Sequence, residues 1–388
     1  MENFTIIFDL KFAFNNKSQY NKNMKKIASK SKKGRVCIAL SGGVDSSVAA
    51  ALLKKQGYDC IGIFMKLWHD PLADSCRENL CCSAQAYEDA RKVAHKLGFE
   101  IYTLDFSKQF KQKIVDYFLA EHKKGNTPNP CVACNKFIKF NLLLKTALAL
   151  DCDYLATGHY LRLKKNKVKN YRVFRGKDND KDQSYFLYNL KQEQLNHLLF
   201  PLGDFTKDQV RAMAKKMKLP VYQKPESQEI CFISEKDRYP FFKKYLKTEI
   251  GPVVNSKGQE IGKHKGYALY TPGQRKGLNI GGGPAYYVNK ISPKNNKIHV
   301  IDNSEDKSLF SKSFKIKNIN WILQKPKAGK KIQVKLRHQA KPVKAKVINK
   351  EVFLDCPARS VVAGQSAVFY YGNELLGGGI IHSVKKQR

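Results

Sequence analysis

The sequence predicts an α/β protein: a parallel-sheet domain, then a small mixed central domain, then a C-terminal antiparallel β-barrel. Three observations carry that expectation. The apolar, β-branched run Arg35–Leu40 (RVCIAL) flows into Ser41–Ser47 (SGGVDSS), a buried strand ending in a glycine-rich turn. Strand-like and helix-like stretches then alternate as far as Gly158, which implies βαβ units and a parallel sheet. From about Leu309 the pattern changes to short alternating strands (IQVKLRH, KPVKAKVI, EVFLDCP, SAVFYYG), as in a small barrel.

Four segments follow: a flexible basic extension at 1–34, the α/β domain at 35–225, a central domain at 226–308 and the barrel at 309–388. Met24 opens a second plausible start, so residues 1–23 read as a tail or a misassigned start. In the α/β domain, Val48–Gln56 reads as a helix closed by Gly57, and Tyr58–Leu67 as a second strand. Ser83–Leu97 is a helix ending at Gly98, Phe99–Leu104 a third strand, and Ser107–Lys124 and Lys136–Leu150 are helices. Tyr154–Thr157 is a buried strand ending in Gly158-His159. Parallel sheets place ligands beyond the carboxyl ends of their strands. The turn at 41–47, Gly158-His159 and the loop at 125–135 are all expected there. Residues 251–290, rich in Gly, Pro and Tyr, read as short strands and turns.

At 388 residues the chain holds two or three domains of roughly 150 residues each. Its 42% hydrophobic and 27% charged content excludes wholesale disorder, and no apolar run reaches the ~18 residues of a membrane-spanning helix. Lys and Arg number 71 against 33 Asp and Glu, a formal charge of +38, where a small soluble domain carries about 2–8. That excess favours a polyanionic partner, nucleic acid before an acidic membrane surface. Because only 12 of the 71 are Arg, a Lys/Asn codon bias is the plain alternative. The first 33 residues place Glu2, Asp9 and Lys11 where a secretory leader would be apolar, so cytoplasmic localisation is expected. In that reducing setting the ten cysteines are reactive thiols, metal ligands or core filling rather than a disulfide framework.

Three strings carry chemistry. In Ser41–Ser47 two glycines let backbone pass close to a ligand, consecutive N–H groups form an anion nest, and the next helix points its positive end there. Asp45 beside phosphates fits a bridging Mg²⁺. There is no Gly-Lys-Ser/Thr, so this is not a Walker A loop. In Thr127–Asn135 (TPNPCVACN) prolines stiffen the loop, and Cys134 is expected at a helix start, which lowers a thiol's pKa. Cys131 and Cys134 also read as half a zinc site, with Cys76, Cys81 and Cys82 nearby. In Glu226–Ile233 (ESQEICFI), Cys231 alone would be core.

The first string resembles the PP-loop of ATP pyrophosphatases, which release pyrophosphate and leave AMP on a substrate oxygen. The resemblance implies that Ala39, Leu40, Ser41, Gly42, Gly43, Val44, Asp45 and Ser46 hold the phosphates of ATP with its Mg²⁺. The ordered set SGGVDSS, TPNPCVACN, ATGHY, KDQSYFLY, SQEICFI, YTPGQRKGLNIGG and AGQSAVFY resembles the tRNA-specific 2-thiouridylases (MnmA-type) from about Arg35 to His382. That family adenylates C2 of the wobble uridine and replaces its oxygen with persulfide sulfur, giving 2-thiouridine, AMP and pyrophosphate. The likeness implies that Cys231 takes the persulfide, that Cys134 is the nucleophile, and that a transient Cys134–Cys231 disulfide forms. It makes Met65 and Gly158 adenosine contacts and sets Asn129, Pro130 and Cys131 around the target base. His159, Lys181, Asp182, Gln183, Arg337, His338 and Gln365 become tRNA contacts. Its partners are the anticodon stem-loop of tRNA, an upstream persulfide donor (a cysteine desulfurase or relay protein) and a reductant, with no membrane.

One departure stands out. Many family members carry Asp where this chain has Cys131, which leaves the acid/base assignment open and raises a zinc or iron–sulfur site of Cys76, Cys81, Cys82 and Cys131. Two rival readings are another PP-loop enzyme, an amide- or guanidine-forming ligase, and a non-enzymatic basic RNA-binding or sulfur-carrier protein. The first needs no reactive cysteine pair, and the second would not split ATP.

Overall fold

A computed structural model of the chain describes residues 7–8, 31–70, 83–226, 230–278, 280–281, 283–327 and 330–387. The chain divides into two compact units, Met1–Lys113 with Ala133–Phe232, and Ile114–Val132 with Ile233–Arg388.

The first unit is built on strands β1 (Ile7–Phe8), β2 (Arg35–Ala39), β3 (Asp59–Lys66), β4 (Ile101–Asp105), β5 (Tyr154–Ala156), β6 (Leu161–Lys165), β7 (Tyr171–Arg175) and β8 (Leu198–Leu199). Six form one sheet in the order β1-β4-β3-β2-β5-β8, every pair parallel. β6 and β7 pair as an antiparallel hairpin. From β2 the chain steps through β3 to β4 on one side, and β5 and β8 fill the other. The direction of winding therefore reverses between β2 and β5, where an open α/β sheet leaves a crevice for ligand. Part of the expected flexible extension is a strand: Ile7 and Phe8 lie opposite Thr103 and Leu104.

The helix after β2 is Val44–Lys55, longer than the expected Val48–Gln56 at its front. Gly43, in an extended conformation, is its N-cap, and the hydroxyls of Ser46 and Ser47 fold back to donate to the Gly43 carbonyl at 3.1 and 2.8 Å. Asp45 therefore sits in the first turn, where the helix dipole favours a carboxylate. Alanines and small side chains bury this helix at several faces, with Val48 and Ala49 packed on Leu202, Val210 and Ala214. The next helix, Ala84–Leu97, is capped by Ser83 and closed by Gly98 in the left-handed region. Its Ala86 and Ala90 pack on Ile38 and Phe64.

The second unit contains β9 (Gly251–Val254), β10 (Glu260–His264), β11 (Tyr287–Ser292) and β12 (Lys297–Ile301), ordered β10-β9-β12-β11 over Val253, Tyr270, Val288 and Val300. Then come β13 (Phe310–Trp321), β14 (Ile332–Lys335), β15 (Val343–Ile348), β16 (Glu351–Arg359), β17 (Ser366–Tyr371) and β18 (Glu374–Lys386). They run β13-β16-β15-β14-β17-β18, and β13 pairs with β18 to close an antiparallel barrel around Phe314, Val334, Val352 and Phe369.

The segment Ile114–Val132, expected within the α/β domain, groups with this second unit. Phe118 stacks on Phe242 at 5.8 Å, with the His122 ring 4.8 Å from that of Phe242. Among the described residues no helix is long and apolar enough to cross a membrane.

Candidate active site

The carboxyl ends of β3, β2 and β5 carry Met65, the Ser41–Ser47 turn and Gly158 side by side, since Ala39 pairs with Ile63 and Ile38 with Ala156. Within the turn Ser41 N–H donates to Ser46 Oγ at 3.2 Å, and the two hydroxyls lie 3.3 Å apart. Gly158 is fixed by close approach: a Cβ there would stand 2.7 Å from Ser46 N and 2.8 Å from the Asp45 carbonyl carbon. A cavity of about 230 Å³ opens on this turn, lined by Ser41, Gly43 and Asp45 and by Lys181, Lys207 and Glu226 among others.

Charge organises this cavity. Both oxygens of Asp45 accept from Lys207 Nζ, at 2.7 and 2.8 Å, and Oδ1 also accepts from Tyr160 Oη at 2.7 Å. Glu226 accepts from Lys181 Nζ at 2.7 Å and lies 3.1 Å from Lys207 Nζ. Desolvation pushes the Glu226 carboxyl up, but the ammonium groups of Lys181 and Lys207 outweigh it and hold it below the usual range. The hydrogen bond to Glu226 raises Lys181. Burial, helped by the charge of Asp45, raises the Tyr160 phenol, so it stays a donor.

Cys134 and Cys231 both belong to the first unit, Cys134 buried and Cys231 half-buried. Next to Cys231, the buried Phe232 meets the Phe110 ring edge-on at 5.8 Å. The helix carrying Cys134 begins at Pro130, not Lys136, and runs through Asn135–Leu143 and Leu144–Ala149. Asn129 caps it by accepting from Val132 N–H at 3.2 Å, and proline suits the first helical position. The expected placement of Cys134 at the helix start is thus corrected. It sits a turn inside, and Cys131, exposed, takes the first turn.

In the second unit the loop before that helix is tied down by backbone. Thr127 N–H donates to the Ala363 carbonyl at 3.0 Å, and its own carbonyl accepts from Gln365 Nε2 at 2.8 Å. Gly364 has φ +93° and faces the Thr127 backbone, which a Cβ would meet at 2.9 to 3.0 Å.

Family models match most of the chain in three consecutive parts: a tRNA methyl transferase HUP domain at 34–235, a tRNA methyl transferase PRC-barrel domain at 239–302, and an aminomethyltransferase β-barrel domain at 311–381. The chain is 46% identical over 359 residues to the tRNA-specific 2-thiouridylase MnmA of Clostridioides difficile, covering 89% of this chain and 98% of that one. This chain belongs to the tRNA-specific 2-thiouridylase family. Similar proteins carrying the same description come from Carboxydothermus hydrogenoformans, 46% identical over 89% of this chain and 97% of that one, and Acetivibrio thermocellus, 44% identical over 90% and 99%.

As a 2-thiouridylase the chain is an enzyme, a tRNA-uridine sulfurtransferase using ATP, and both rival readings fall away. The residues expected to touch tRNA fall in different surroundings. Lys181 and Gln183 line the cavity that opens on the Ser41–Ser47 turn. The Asp182 side chain is buried and accepts from Gly176 N–H at 3.1 Å and Ser184 Oγ at 2.9 Å, which fixes its own turn. His159 Nδ1 lies 2.8 Å from Thr157 Oγ1, and desolvation, then Lys139, keeps its imidazole neutral. Arg337, exposed, donates to the carbonyls of Pro272 and Ser360 at 3.4 and 3.3 Å, beside half-buried His338. Gln365 uses its amide on Thr127.

Of the proposed metal ligands, Cys76, Cys81 and Cys82 lie outside the described residues, among which no cluster of three His, Cys, Asp or Glu forms a metal site. Sequence reading missed Lys207, Tyr160 and Glu226 as parts of the cavity. Only the helix-start signature Thr206–Gln209, a capping box with lysine inside it, hinted at Lys207.

Proposed function

We propose that this 2-thiouridylase activates C2 of the tRNA wobble uridine as an adenylate in the cavity beside Asp45 and replaces the oxygen with sulfur carried by Cys231. The observation that carries the reading is the turn Ser41–Ser47 at the reversal point of the sheet, with Gly158 seated on it and the cavity opening there. Consecutive backbone N–H groups at a helix start suit the phosphates of ATP. Asp45 and the Ser41 hydroxyl on the cavity wall are oxygen donors of the class that Mg²⁺ takes, so these residues fit the ion and would hold it. When bound, Mg²⁺ supplies neutralisation of phosphate charge.

The uracil O2 attacks the α-phosphorus, the bond from that phosphorus to the bridging oxygen breaks, and pyrophosphate leaves with the electron pair. The C2 oxygen then departs as part of AMP, a far better leaving group than hydroxide. The sulfane sulfur of a Cys231 persulfide bonds to C2, and Cys134 closes a disulfide with Cys231 as that sulfur is given up. Two electrons and two protons from a reductant restore both thiols. A persulfide-bearing donor reloads Cys231. Asn129, Pro130 and Cys131 face the target base, and basic side chains meet the anticodon stem-loop, giving binding that weakens as salt rises.

The test is purified protein with undermodified tRNA, ATP, Mg²⁺ and a persulfide donor, read by mass spectrometry of digested nucleosides. An oxygen-to-sulfur mass gain on the wobble uridine with stoichiometric AMP is expected. AMP release with no sulfur in RNA would overturn the reading.

A further inference from the structure

We propose that Lys207 binds the pyrophosphate end of ATP and stabilises it as the leaving group. The inference rests on ATP being the nucleotide taken by the Ser41–Ser47 turn.

Lys207 is the first residue of the ten-residue helix Lys207–Lys216, whose N-terminus is closed by a reciprocal Thr206–Gln209 capping box. Its backbone N–H donates to Asp178 Oδ2 at 2.9 Å. A cation at that position opposes the helix dipole, and this side chain is only 9% exposed. A buried ammonium at the wrong end of a helix is not explained by stability, since buried ion pairs contribute little net. Its geometry points elsewhere. Nζ reaches Asp45 on the turn and, 3.1 Å away, Glu226 on the opposite lining. It thus stands among the groups that line the cavity with Ser41 and Gly43. Lys181 and Lys207 face Asp45 and Glu226 there, while Lys224, on the same lining, pairs with Asp89 at 2.6 Å. A compact ammonium is the usual point-charge partner of phosphate.

When the uracil O2 bonds to the α-phosphorus and the bond to the bridging oxygen breaks, negative charge accumulates on the departing β-phosphate. Lys207 meets that charge in a partly desolvated cavity, where a preplaced cation acts most strongly. Asp45 and Glu226 orient it, each offering a carboxylate that phosphate oxygens replace.

Full-length protein carrying Lys207→Met or Lys207→Arg tests this. In titrations of Lys207→Met, affinity for ATP and for inorganic pyrophosphate falls about tenfold or more, while AMP binding stays within about twofold. AMP release with tRNA at saturating ATP falls about a hundredfold, the scale of one lost charge-stabilising group. Binding of tRNA and sulfur loading of Cys231 in the absence of ATP stay unchanged, and Lys207→Arg recovers part of the turnover. Equal losses for ATP and AMP, or lost tRNA binding with ATP binding intact, would overturn the assignment. Should Lys207→Met not fold, Glu226→Gln decides: it removes negative charge from the cavity and tightens ATP binding several-fold with AMP binding unmoved, and an absence of tightening contradicts the proposal. If the unmutated protein splits ATP without thiolating RNA, the family chemistry fails while the Lys207 result still stands on its own.

Discussion

The cavity beside Asp45 and the loop Thr127–Cys131 are positioned by different physics. Around the cavity the fixing contacts are ionic: Lys207 on Asp45, Lys181 and Lys207 on Glu226. Around the loop they are neutral and mostly backbone, with Thr127 held by Ala363 and Gln365 and cleared by Gly364. The first arrangement suits a site that must exchange its own ion pairs for a polyphosphate. The second suits the proposed role of this loop, holding a neutral base steady. A charge-built site therefore responds to charge and a backbone-built one to shape.

The largest effects should come from neither scaffold but from the thiols. Cys134→Ser or Cys231→Ser is expected to lower 2-thiouridine formation about a thousandfold or more, as loss of a covalent-catalysis group does. ATP binding should be unchanged, read by nucleoside mass spectrometry beside ATP titration. Turnover at the native rate in either variant would separate both cysteines from the chemistry.

Next come two glycine variants that break the comparison in opposite directions. Gly158→Ala puts a Cβ against the backbone of Asp45 and Ser46, so ATP affinity and AMP release should fall about tenfold to a hundredfold with tRNA affinity kept. Gly364→Ala forces alanine into φ +93° against Thr127. It should lower the melting temperature, at a cost of about 1–3 kcal/mol, and slow thiolation while ATP affinity holds. Equal damage to ATP binding from both variants would mean that the two regions are not mechanically separate.

The smallest effect is on the pH dependence of stability, and it too differs between the units. His122 is driven down to about 3, by burial first and then by Arg238, and is neutral in the folded protein. Its contribution is present above the unfolded histidine value of about 6.5 and is lost as pH falls from there toward 3, at about 1.4 kcal/mol per pH unit. About 2 kcal/mol is gone by pH 5, and His122→Phe should flatten that stretch of a denaturant-stability profile. Glu226, held below the ordinary carboxylate range, acts in a lower window. Its contribution is present above its unfolded value and lost as pH falls through the folded one. An unchanged acid slope in His122→Phe would refute the assignment.

Much of the architecture was legible because it is local. The strand Arg35–Ala39 and its glycine turn follow from β-branching and Gly-Gly, and the helix Ala84–Leu97 from Ser83 and Gly98 at its ends. The start at Pro130 was readable in principle from an asparagine cap followed by proline, but the two prolines of Thr127–Pro130 look like loop. Strands β13 and β18 escaped notice because lysines and three consecutive glycines interrupt their apolar alternation. The link between Asp45 and Lys207 spans 162 positions, and no local pattern announces a contact made only when the sheet is wound. The cysteine roles came from family likeness rather than from periodicity, since a thiol between isoleucine and phenylalanine looks like core.

The central claim is that the uridine oxygen leaves as part of AMP. Undermodified tRNA carrying ¹⁸O at C2 of the wobble uridine, incubated with the enzyme, ATP, Mg²⁺ and a persulfide donor, tests it most directly. One ¹⁸O atom in the phosphate of each AMP released, matching the sulfur gained by RNA, is the predicted result. Thiolated RNA accompanied by unlabelled AMP would contradict it.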